Sequence, residues 1–498
     1  MSESYDVIVV GAGNAALCAA LAARSRCERV LVLERAPEDE SGGNSRFTAG
    51  AMRVAYNGID DLRELMPDLA PAEIERTDFG TYTEAQFFDD MGRATQYRCD
   101  PDLTEILVRR SFDTLRWMRS KGIRFAPIYG RQAFKVDGKF KFWGGLTVET
   151  TGGGPGLIDA LTKAARASGI EIWYLARALA LFADDDGVNG VRLRRERRTI
   201  DVRARARWCS RRAASRRTPN GARATSARAG SSRRCAAPVS TPAMRSAWRS
   251  TSAPRPLATG PGVMRSAGSA TRPSSAILRS ATSARSTATR SASCSMLRAS
   301  GSSTRGRTSA TTPTPSTAAW FSSSRASSPG RIFDAKVKHL LRDEYRIKQV
   351  TKRSAATLEE LAPKLDDVDA AAALAEMHAY NAAVRIDVAF NPNVKDGRCT
   401  VGLAVNKSNW ANVLDTPPFD AYAVTCGITF TFGGLRIDAD AQVISTDGEP
   451  IAGLYAAGEL VGGSFYFNYP GGAGLTNGAV FGRIAGANAA RRARAPGA

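Results

Sequence analysis

The chain has 498 residues, enough for two or three domains with a large hydrophobic core. It contains no uninterrupted apolar run of about eighteen residues, the length that spans a membrane, and its first strand pattern begins at Tyr5. We therefore expect a cytoplasmic protein. The eight cysteines show no C-x-x-C spacing, so we expect buried free thiols, without a metal or a disulfide.

The formal net charge of +21 would ordinarily indicate a nucleic-acid or anionic membrane partner. The charge is concentrated in one segment, however, because residues 207–331 contain 22 arginines and no lysine, aspartate or glutamate. Subtracting those 22 charges from +21 leaves −1 for the rest of the chain. We therefore expect no nucleic-acid partner.

The first predicted element is a strand, turn, helix and strand that reads YDVIVVGAGNAALCAALAARSRCERVLVLE. Gly11 permits the tight turn, Gly13 lets a pyrophosphate approach the backbone, and Ala16 allows the helix to pack closely on the strand. The helix N-terminus favours an anion, and Glu34 can accept hydrogen bonds from a ribose. Glycine turns alone occur in many α/β proteins, but the complete unit predicts a dinucleotide site. Its predicted contacts are Gly11, Gly13, Asn14, Ala15, Ala16, Glu34 and Arg35.

A second loop of glycine and polar residues, SGGNSRFTA, follows at 41–49. Its backbone N–H groups and the Ser45 hydroxyl can bind a pyrophosphate or the edge of a flavin ring, although the loop alone is also typical of a protein surface. The predicted contacts are Gly42, Gly43, Asn44 and Ser45.

The segment 453–486 predicts a strand, an AAGE motif, a glycine loop and a helix of small residues. The N-terminus of this helix can stabilise negative charge on a flavin. The predicted contacts here are Gly458, Glu459, Gly474 and Leu475. Because nucleotide elements open and close the chain, we predict an α/β, Rossmann-like domain built from both chain ends, 1–245 and 396–498. An α+β capping domain for the substrate is inserted at 246–395.

Cations are frequent in IFDAKVKHLLRDEYRIK, residues 332–348, which we predict to be helical. Lys338 and Arg342 belong to this stretch. Such a run usually forms a solvated helix face, but a substrate with several carboxylates needs several cations.

The segment 207–331 differs from both flanks, because it is mainly Arg, Ser, Ala, Thr and Pro without a regular apolar period. Composition alone indicates a disordered, RNA-binding insertion. Permitted codons read two nucleotides later, however, give globular sequence, such as AVVLASGGFEANPEWRARYLGPGW from Ala206 onward. We therefore favour two compensating frameshifts, near Ala206 and at Arg331. The printed sequence is then anomalous at 207–245, in the Rossmann-like nucleotide domain, and at 246–331, in the capping domain.

Several motifs together resemble the flavoproteins of the fumarate reductase and succinate dehydrogenase family, most closely its members that oxidise tricarballylate. These motifs are VIVVGAGNAALCAA, SGGNSRFTAG, GGLTVETTGGGPGL, IFDAKVKHLLRDEYRIK, KSNWAN, CGITFTFGGL and AAGELVGGSFYFNYPGGAGLTNGAVFGRIAG. Together with the sequence obtained by reading 207–331 in the shifted frame (the restored frame), these motifs cover essentially the whole chain. The resemblance implies FAD as the cofactor. It is expected to be non-covalent, because the loop 42–45 lacks the histidine of covalently flavinylated relatives.

The resemblance also implies the reaction, oxidation of tricarballylate to cis-aconitate with a hydride passing to flavin N5 and a proton to a base. By resemblance, Thr429 and Phe430 stand here at the position of the family's paired histidine, and Tyr469 stands at that of its carboxylate-binding arginine. These replacements favour a tricarboxylate over fumarate or succinate as the substrate. Lys338 is the candidate base, provided that burial among cations keeps its amine neutral. Candidate substrate contacts are Arg342, Thr429, Thr431, Tyr466 and Tyr469.

A small carboxylate substrate and a membrane-bound iron-sulfur or cytochrome electron acceptor are the partners that the resemblance implies. The frameshifts are expected to impair FAD binding and activity of the printed chain. Two alternatives stay open: another flavoenzyme of the family, resembling a fumarate reductase or a ketosteroid dehydrogenase, and an Arg/Ser-rich RNA-binding protein on a relic flavin fold.

Overall fold

The computed structural model describes residues 4–207, 263–269, 295–297, 330–341, 345, 352–365, 368–391, 396–403 and 406–494. Most of the segment 207–331 lies outside these residues, and so do Arg342 and the side chain of Thr429. The predicted domain boundaries after residues 245 and 395 also lie outside them and stay predictions.

The strands, in chain order, are β1 (Ser4–Val10), β2 (Val30–Leu33), β3 (Ala51–Met52), β4 (Thr77–Asp78), β5 (Phe125–Pro127), β6 (Ala133–Val136), β7 (Lys139–Phe142), β8 (Val148–Thr150), β9 (Glu171–Trp173), β10 (Arg177–Asp184), β11 (Gly187–Arg195), β12 (Arg198–Arg207), β13 (Val263–Ser269), β14 (Ser295–Leu297), β15 (Gly330–Phe333), β16 (Lys352–Ala355), β17 (Phe419–Thr431), β18 (Gln442–Ile444) and β19 (Pro450–Tyr455). The α-helices are α1 (Asn14–Arg24), α2 (Ile59–Leu65), α3 (Pro71–Glu75), α4 (Glu84–Thr95), α5 (Pro101–Ser120), α6 (Tyr129–Gln132), α7 (Gly153–Ala167), α8 (Leu358–Leu361), α9 (Ala370–Ala383) and α10 (Ala473–Arg494).

The described residues belong to two compact units. The first contains 4–207, 263 and 430–494, and the second contains 264–269, 295–297 and the described residues between 330 and 429. Both ends of the chain thus lie in one α/β unit, as the two nucleotide elements predict. Within the described part, no helix combines the length and apolarity that crossing a bilayer requires.

The central sheet of the first unit has the strand order β10-β11-β12-β1-β2-β9. β1 pairs in parallel with β2 and β12, and β2 pairs in parallel with β9. β10, β11 and β12 are antiparallel neighbours. Val7, Ile8 and Val9 are fully buried, as expected for an internal strand of a covered parallel sheet. The two strands of the predicted nucleotide unit are therefore confirmed.

The last helix, α10, lies directly against the first, α1. Its glycines at 474, 478, 482 and 486 recur at every fourth position and therefore share one helix face. A Cβ on Gly482 would lie 2.3 Å from the carbonyl oxygen of Ala15, and one on Gly486 would lie 2.1 Å from that of Ala19. Only hydrogen fits at these two positions, so the backbones of the two helices approach closely.

The second unit has its own sheet and core. β17 pairs with β15 and β16, and β14 pairs with β15, all antiparallel. Helices α8 and α9 cover the sheet through a buried cluster that includes Ile332, Leu361, Met377 and Phe419. This cluster is the hydrophobic core of the second unit.

The helix predicted for 332–348 is present only in part. The stretch begins within β15, which pairs with β17, and its helical portion is the 3-10 helix Ala335–Leu340. Leu341 has extended backbone angles and ends this helix. The prediction of a long helix is therefore wrong in the described residues, because strand pairing takes the start of the stretch.

The close approach of α1 and α10 predicts the effect of adding one methyl group. Because the Cβ of Gly482→Ala would collide with a backbone carbonyl, we expect the free energy of unfolding of this unit to fall by about 1–3 kcal/mol. Thermal and urea unfolding measure the loss. Gly130→Ala is the matched control, since no atom lies within 4 Å of the added Cβ; equal stability of the two variants would contradict the close contact.

Candidate functional site

The turn between β1 and α1 is built by the first glycines of the chain. Gly11 has φ +105°, a conformation open to glycine, and its N–H donates to the carbonyl of Leu33 at 2.7 Å. Gly13 precedes α1 and provides no side-chain cap, and the first turn of α1 carries no acidic residue. No acidic residue of the helix itself therefore neutralises the positive end of its dipole at this turn, which suits a pyrophosphate.

Glu34 lies beside this turn at the end of β2. Its Oε2 accepts a hydrogen bond from the backbone N–H of Ala12 at 2.8 Å, and its Oε1 accepts one from the N–H of Ala36 at 2.8 Å. The carboxylate is half-buried, so it is fixed in orientation and still accessible. The structure thus places the predicted ribose acceptor at the glycine turn. Arg35 is half-buried at the next position.

The loop 42–45 reaches the same turn from the other side. Gly42 and Gly43 have φ +95° and +63°, and the chain then forms the 3-10 helix Gly43–Phe47. Ser45 Oγ accepts a hydrogen bond from the N–H of Asn14 at 3.2 Å. This contact joins the second predicted nucleotide loop to the first.

Glu459 connects three segments of the site. Its Oε2 accepts a hydrogen bond from Asn44 Nδ2 at 2.8 Å. Its Oε1 accepts hydrogen bonds from the Thr431 N–H at 2.8 Å and the Thr431 hydroxyl at 3.1 Å. The loop 42–45, the AAGE motif and the end of β17 are therefore held together by one carboxylate. Thr431, a predicted substrate contact, is bound to Glu459 in this arrangement.

The N-terminus of α10 meets the N-terminus of α1 at the same place. Asn14 Nδ2 donates to the carbonyl of Leu475 at 2.8 Å, and Asn14 is almost completely buried. A Cβ on Gly458 would lie 3.0 Å from the Cβ of Ala15. The first turn of α10, like that of α1, contains no acidic residue. Two positive helix ends thus meet at the site.

These residues fit the FAD that the sequence predicts. A Cβ on Gly13 would lie 3.5 Å from Gly42 O and 3.6 Å from Ser45 Oγ, which are ordinary contacts. The protein itself therefore does not require glycine there, whereas a pyrophosphate at the backbone does. Ser464 Oγ and Asn477 Oδ1 are buried and have no hydrogen-bond partner within the described residues. Buried polar atoms are normally hydrogen-bonded, so both are consistent with a polar ligand beside α10.

Aromatic residues surround the start of α10. Phe430 contacts Phe465 and Tyr469, with ring centroids 5.7 and 5.0 Å apart. A Cβ on Gly474 would lie 3.2 Å from the Phe430 ring. Tyr469 is thereby placed beside Gly474, whereas Tyr466 lies outside this cluster.

The predicted base lies in the second unit. Lys338 Nζ is 2.9 Å from Asp420 Oδ2, and Asp420 also contacts Lys352 at 3.6 Å and the Ser354 hydroxyl at 2.5 Å. Asp420 is buried, while Lys338 is about one-third exposed, at 32 %. Lys338 is therefore found as one member of a charge cluster around a buried carboxylate, an arrangement that the cationic sequence run does not indicate.

Sequence reasoning missed Arg53, which is buried next to the glycine loop that precedes α10 (the late glycine loop). Its guanidinium donates to the carbonyls of Gly471 at 2.8 Å and Gly144 at 2.7 Å, and pairs with Asp90 at 3.1 Å. Tyr82 donates to the same carboxylate, and burial raises the pKa of Tyr82. No motif marks Arg53, because its partners are distant in sequence.

The described cysteines are free thiols. Cys18 and Cys27 are buried as expected, whereas Cys99 and Cys399 are half-buried. Burial raises the pKa of the Cys18 thiol to about 12. Across the described residues, no group of three or more His, Cys, Asp or Glu side chains is arranged to hold a metal ion.

Comparison with known proteins supports the predicted cofactor. The model of the family described as FAD binding domain matches residues 6–475. A probable fumarate reductase of Shewanella frigidimarina is 27% identical over 522 residues, covering 99% of this chain and 76% of that protein. An NADH:fumarate oxidoreductase of Klebsiella pneumoniae is 26% identical over 514 residues; the chain spans about half of it, 48%. FAD as the cofactor and a flavin-dependent oxidoreductase as the enzyme class are thereby confirmed.

Solved structures agree with the fold. The open conformation of a flavocytochrome c3 fumarate reductase has a TM-score of 0.71 and 22% identity, covering 99% of this chain and 79% of that one. A 3-ketosteroid delta1-dehydrogenase from Sterolibacterium denitrificans has a TM-score of 0.71 and 18% identity, covering 98% of this chain and 100% of that one. The fold therefore does not distinguish between their substrates.

The position of Glu34 predicts its effect on FAD affinity. Glu34→Gln removes the charge and puts an amide N–H₂ where two backbone N–H groups need acceptors. We expect the Kd for FAD to rise about 10- to 100-fold, since a hydrogen bond to a charged group contributes about 1.5–3 kcal/mol. Quenching of FAD fluorescence by the apoprotein measures this Kd. Glu28→Gln, at an exposed site, should bind FAD like the parent; equal affinity of all three proteins would remove Glu34 from the site.

Proposed function

The chain belongs to the FAD binding domain family, and we propose that this protein is a dehydrogenase that forms a carbon–carbon double bond next to a carboxylate. The proposed substrate is tricarballylate and the product is cis-aconitate. The observation that carries the proposal is the junction of the turn 11–14 with the start of α10, made by the Asn14–Leu475 hydrogen bond. When bound there, FAD supplies the two-electron chemistry by accepting a hydride.

The late glycine loop supports a substrate other than fumarate. By resemblance, Tyr469 occupies the position of the arginine that clamps a carboxylate in fumarate reductases, and Thr429 and Phe430 replace the paired histidine. Tyr469 instead belongs to the aromatic cluster beside Gly474. Tricarballylate carries one more carboxymethyl group than succinate, so its recognition needs contacts at different positions.

Removal of a proton next to a carboxylate requires a base and cations that stabilise the developing negative charge. Lys338 is the proposed base. Its Nζ lies 2.9 Å from Asp420 Oδ2. Arg342, Thr431 and Tyr466 are proposed to contact the carboxylates.

We propose a membrane-bound iron-sulfur or cytochrome protein as the electron acceptor. The name of the structural neighbour, a flavocytochrome, supports a haem protein as one such acceptor. The names of the two curated relatives favour a second candidate function, reduction of fumarate.

Substrate preference distinguishes these functions. With FAD-loaded protein that carries 207–331 in the restored frame, and an artificial electron acceptor, we expect kcat/KM for tricarballylate to exceed that for succinate by at least about 100-fold, because a site built for an additional charged group discriminates strongly. A ketosteroid serves as the control for the steroid-oxidising alternative. Faster oxidation of succinate, or fumarate reduction by a reduced dye without tricarballylate oxidation, would support the second candidate instead.

We also propose that the printed frame of 207–331 impairs the enzyme. In the β1–β12 pair, Arg207 stands opposite Ile8, which is fully buried in the middle of the central sheet. β12 is an internal strand of this sheet, and the restored reading AVVLA is more apolar at its end than the printed ARWCS. An intact enzyme therefore requires the restored frame.

Sequencing of the coding DNA across codons 200–335 tests this proposal. We expect a continuous frame that encodes the AVVLASGGF string and the following globular sequence. DNA that encodes the printed residues would contradict a sequencing error. The segment 207–331 would then be either the product of a broken gene or a true insertion. In the latter case, RNA affinity that is salt-dependent and lost on deletion of 207–331 would identify an RNA-binding segment.

A further inference from the structure

The loop between α4 and α5 lies beside the late glycine loop. Asp100 caps α5 by accepting hydrogen bonds from the N–H groups of Asp102 and Leu103, which fixes the end of this loop. The N–H of Asp100 donates to the carbonyl of Gly463 at 2.8 Å. Arg98, two residues earlier, is thereby held next to the residues that follow Gly463.

Arg98 stacks on two aromatic residues of that loop. Its guanidinium carbon lies 5.3 Å from the centroid of the Tyr466 ring and 5.9 Å from that of Phe467. Its Nη1 donates to the Tyr466 hydroxyl at 3.3 Å. Such cation–π stacking orients a guanidinium plane without neutralising its charge.

Arg98 has an exposed side chain and makes no ion pair within the described residues. By contrast, Arg93 pairs with Asp90 and Arg109 pairs with Glu105 on the neighbouring helices. A guanidinium has five N–H donors, and the single hydrogen bond to Tyr466 leaves most of them available. Arg98 is therefore an oriented cation with unused donors.

We propose that Arg98 binds a carboxylate of the substrate, with Tyr466 holding its guanidinium in place. Planar guanidinium groups bind carboxylates through two parallel hydrogen bonds, which matches the donors that remain. The adjoining segment 463–469 is the one in which Tyr469 replaces the expected arginine, so a cation from α4–α5 supplies the missing charge. This inference rests on the proposed function for the class of ligand, a small carboxylate.

Calorimetric titration of the FAD-loaded full-length chain, with 207–331 in the restored frame, with tricarballylate, cis-aconitate and succinate tests Arg98. We expect Arg98→Gln to weaken binding of the preferred carboxylate about 10- to 100-fold, as expected for loss of a charge-assisted hydrogen bond. Arg98→Lys should retain part of the affinity, because a point charge replaces the planar fork. Tyr466→Phe, which keeps the ring but not the hydroxyl, should cause a smaller loss.

The control is Arg109→Gln, which removes a cation that already has an acidic partner. It should bind the carboxylate like the parent, and flavin content and unfolding temperature should be unchanged in both glutamine variants. Parent-like affinity of Arg98→Gln, or an equal loss in Arg109→Gln, would overturn the proposal. If succinate binds through Arg98 but tricarballylate does not bind, the Arg98 inference stands and the proposed substrate falls. Failure of the parent to bind any carboxylate would overturn both.

Discussion

The contact between α1 and the glycine face of α10 is the constraint on which the first unit depends. Carbonyl groups of Ala15 and Ala19 occupy the space that side chains at 482 and 486 would need. Backbone approach at this distance fixes the position of both helices along their axes. Because α1 follows the first glycine turn and α10 follows the last glycine loop, their contact brings the two nucleotide elements into one site.

Two carboxylates then order the loops around that site. Glu34 accepts hydrogen bonds from the backbone on both sides of the turn, and Glu459 joins Asn44 to Thr431. Both accept hydrogen bonds from groups of the turn and loops next to the two helices. The two helix N-termini, in turn, present positive ends toward an anionic cofactor. This division of charge explains how one site serves a pyrophosphate and a ribose.

The sequence predicted much of this site because its signals are local. The strand, turn, helix and terminal acid of residues 5–34 identify a dinucleotide unit, since each step depends on neighbours in the chain. Arg98 and Arg53 were not predicted, because neither belongs to a motif and their partners lie 37 to 418 residues away in the chain. The pairing of Lys338 with Asp420 was missed for the same reason. The helix expected there was shortened by strand pairing, which a local periodic pattern does not reveal.

The most direct test of the account is the flavin content of the purified full-length chain with 207–331 in the restored frame, compared with the printed chain. We predict one FAD per restored chain, released completely by acid precipitation because it is non-covalent, and less flavin in the printed chain. A restored chain without flavin, or flavin that stays with the precipitated protein, would contradict an FAD site formed by the junction of the two chain ends.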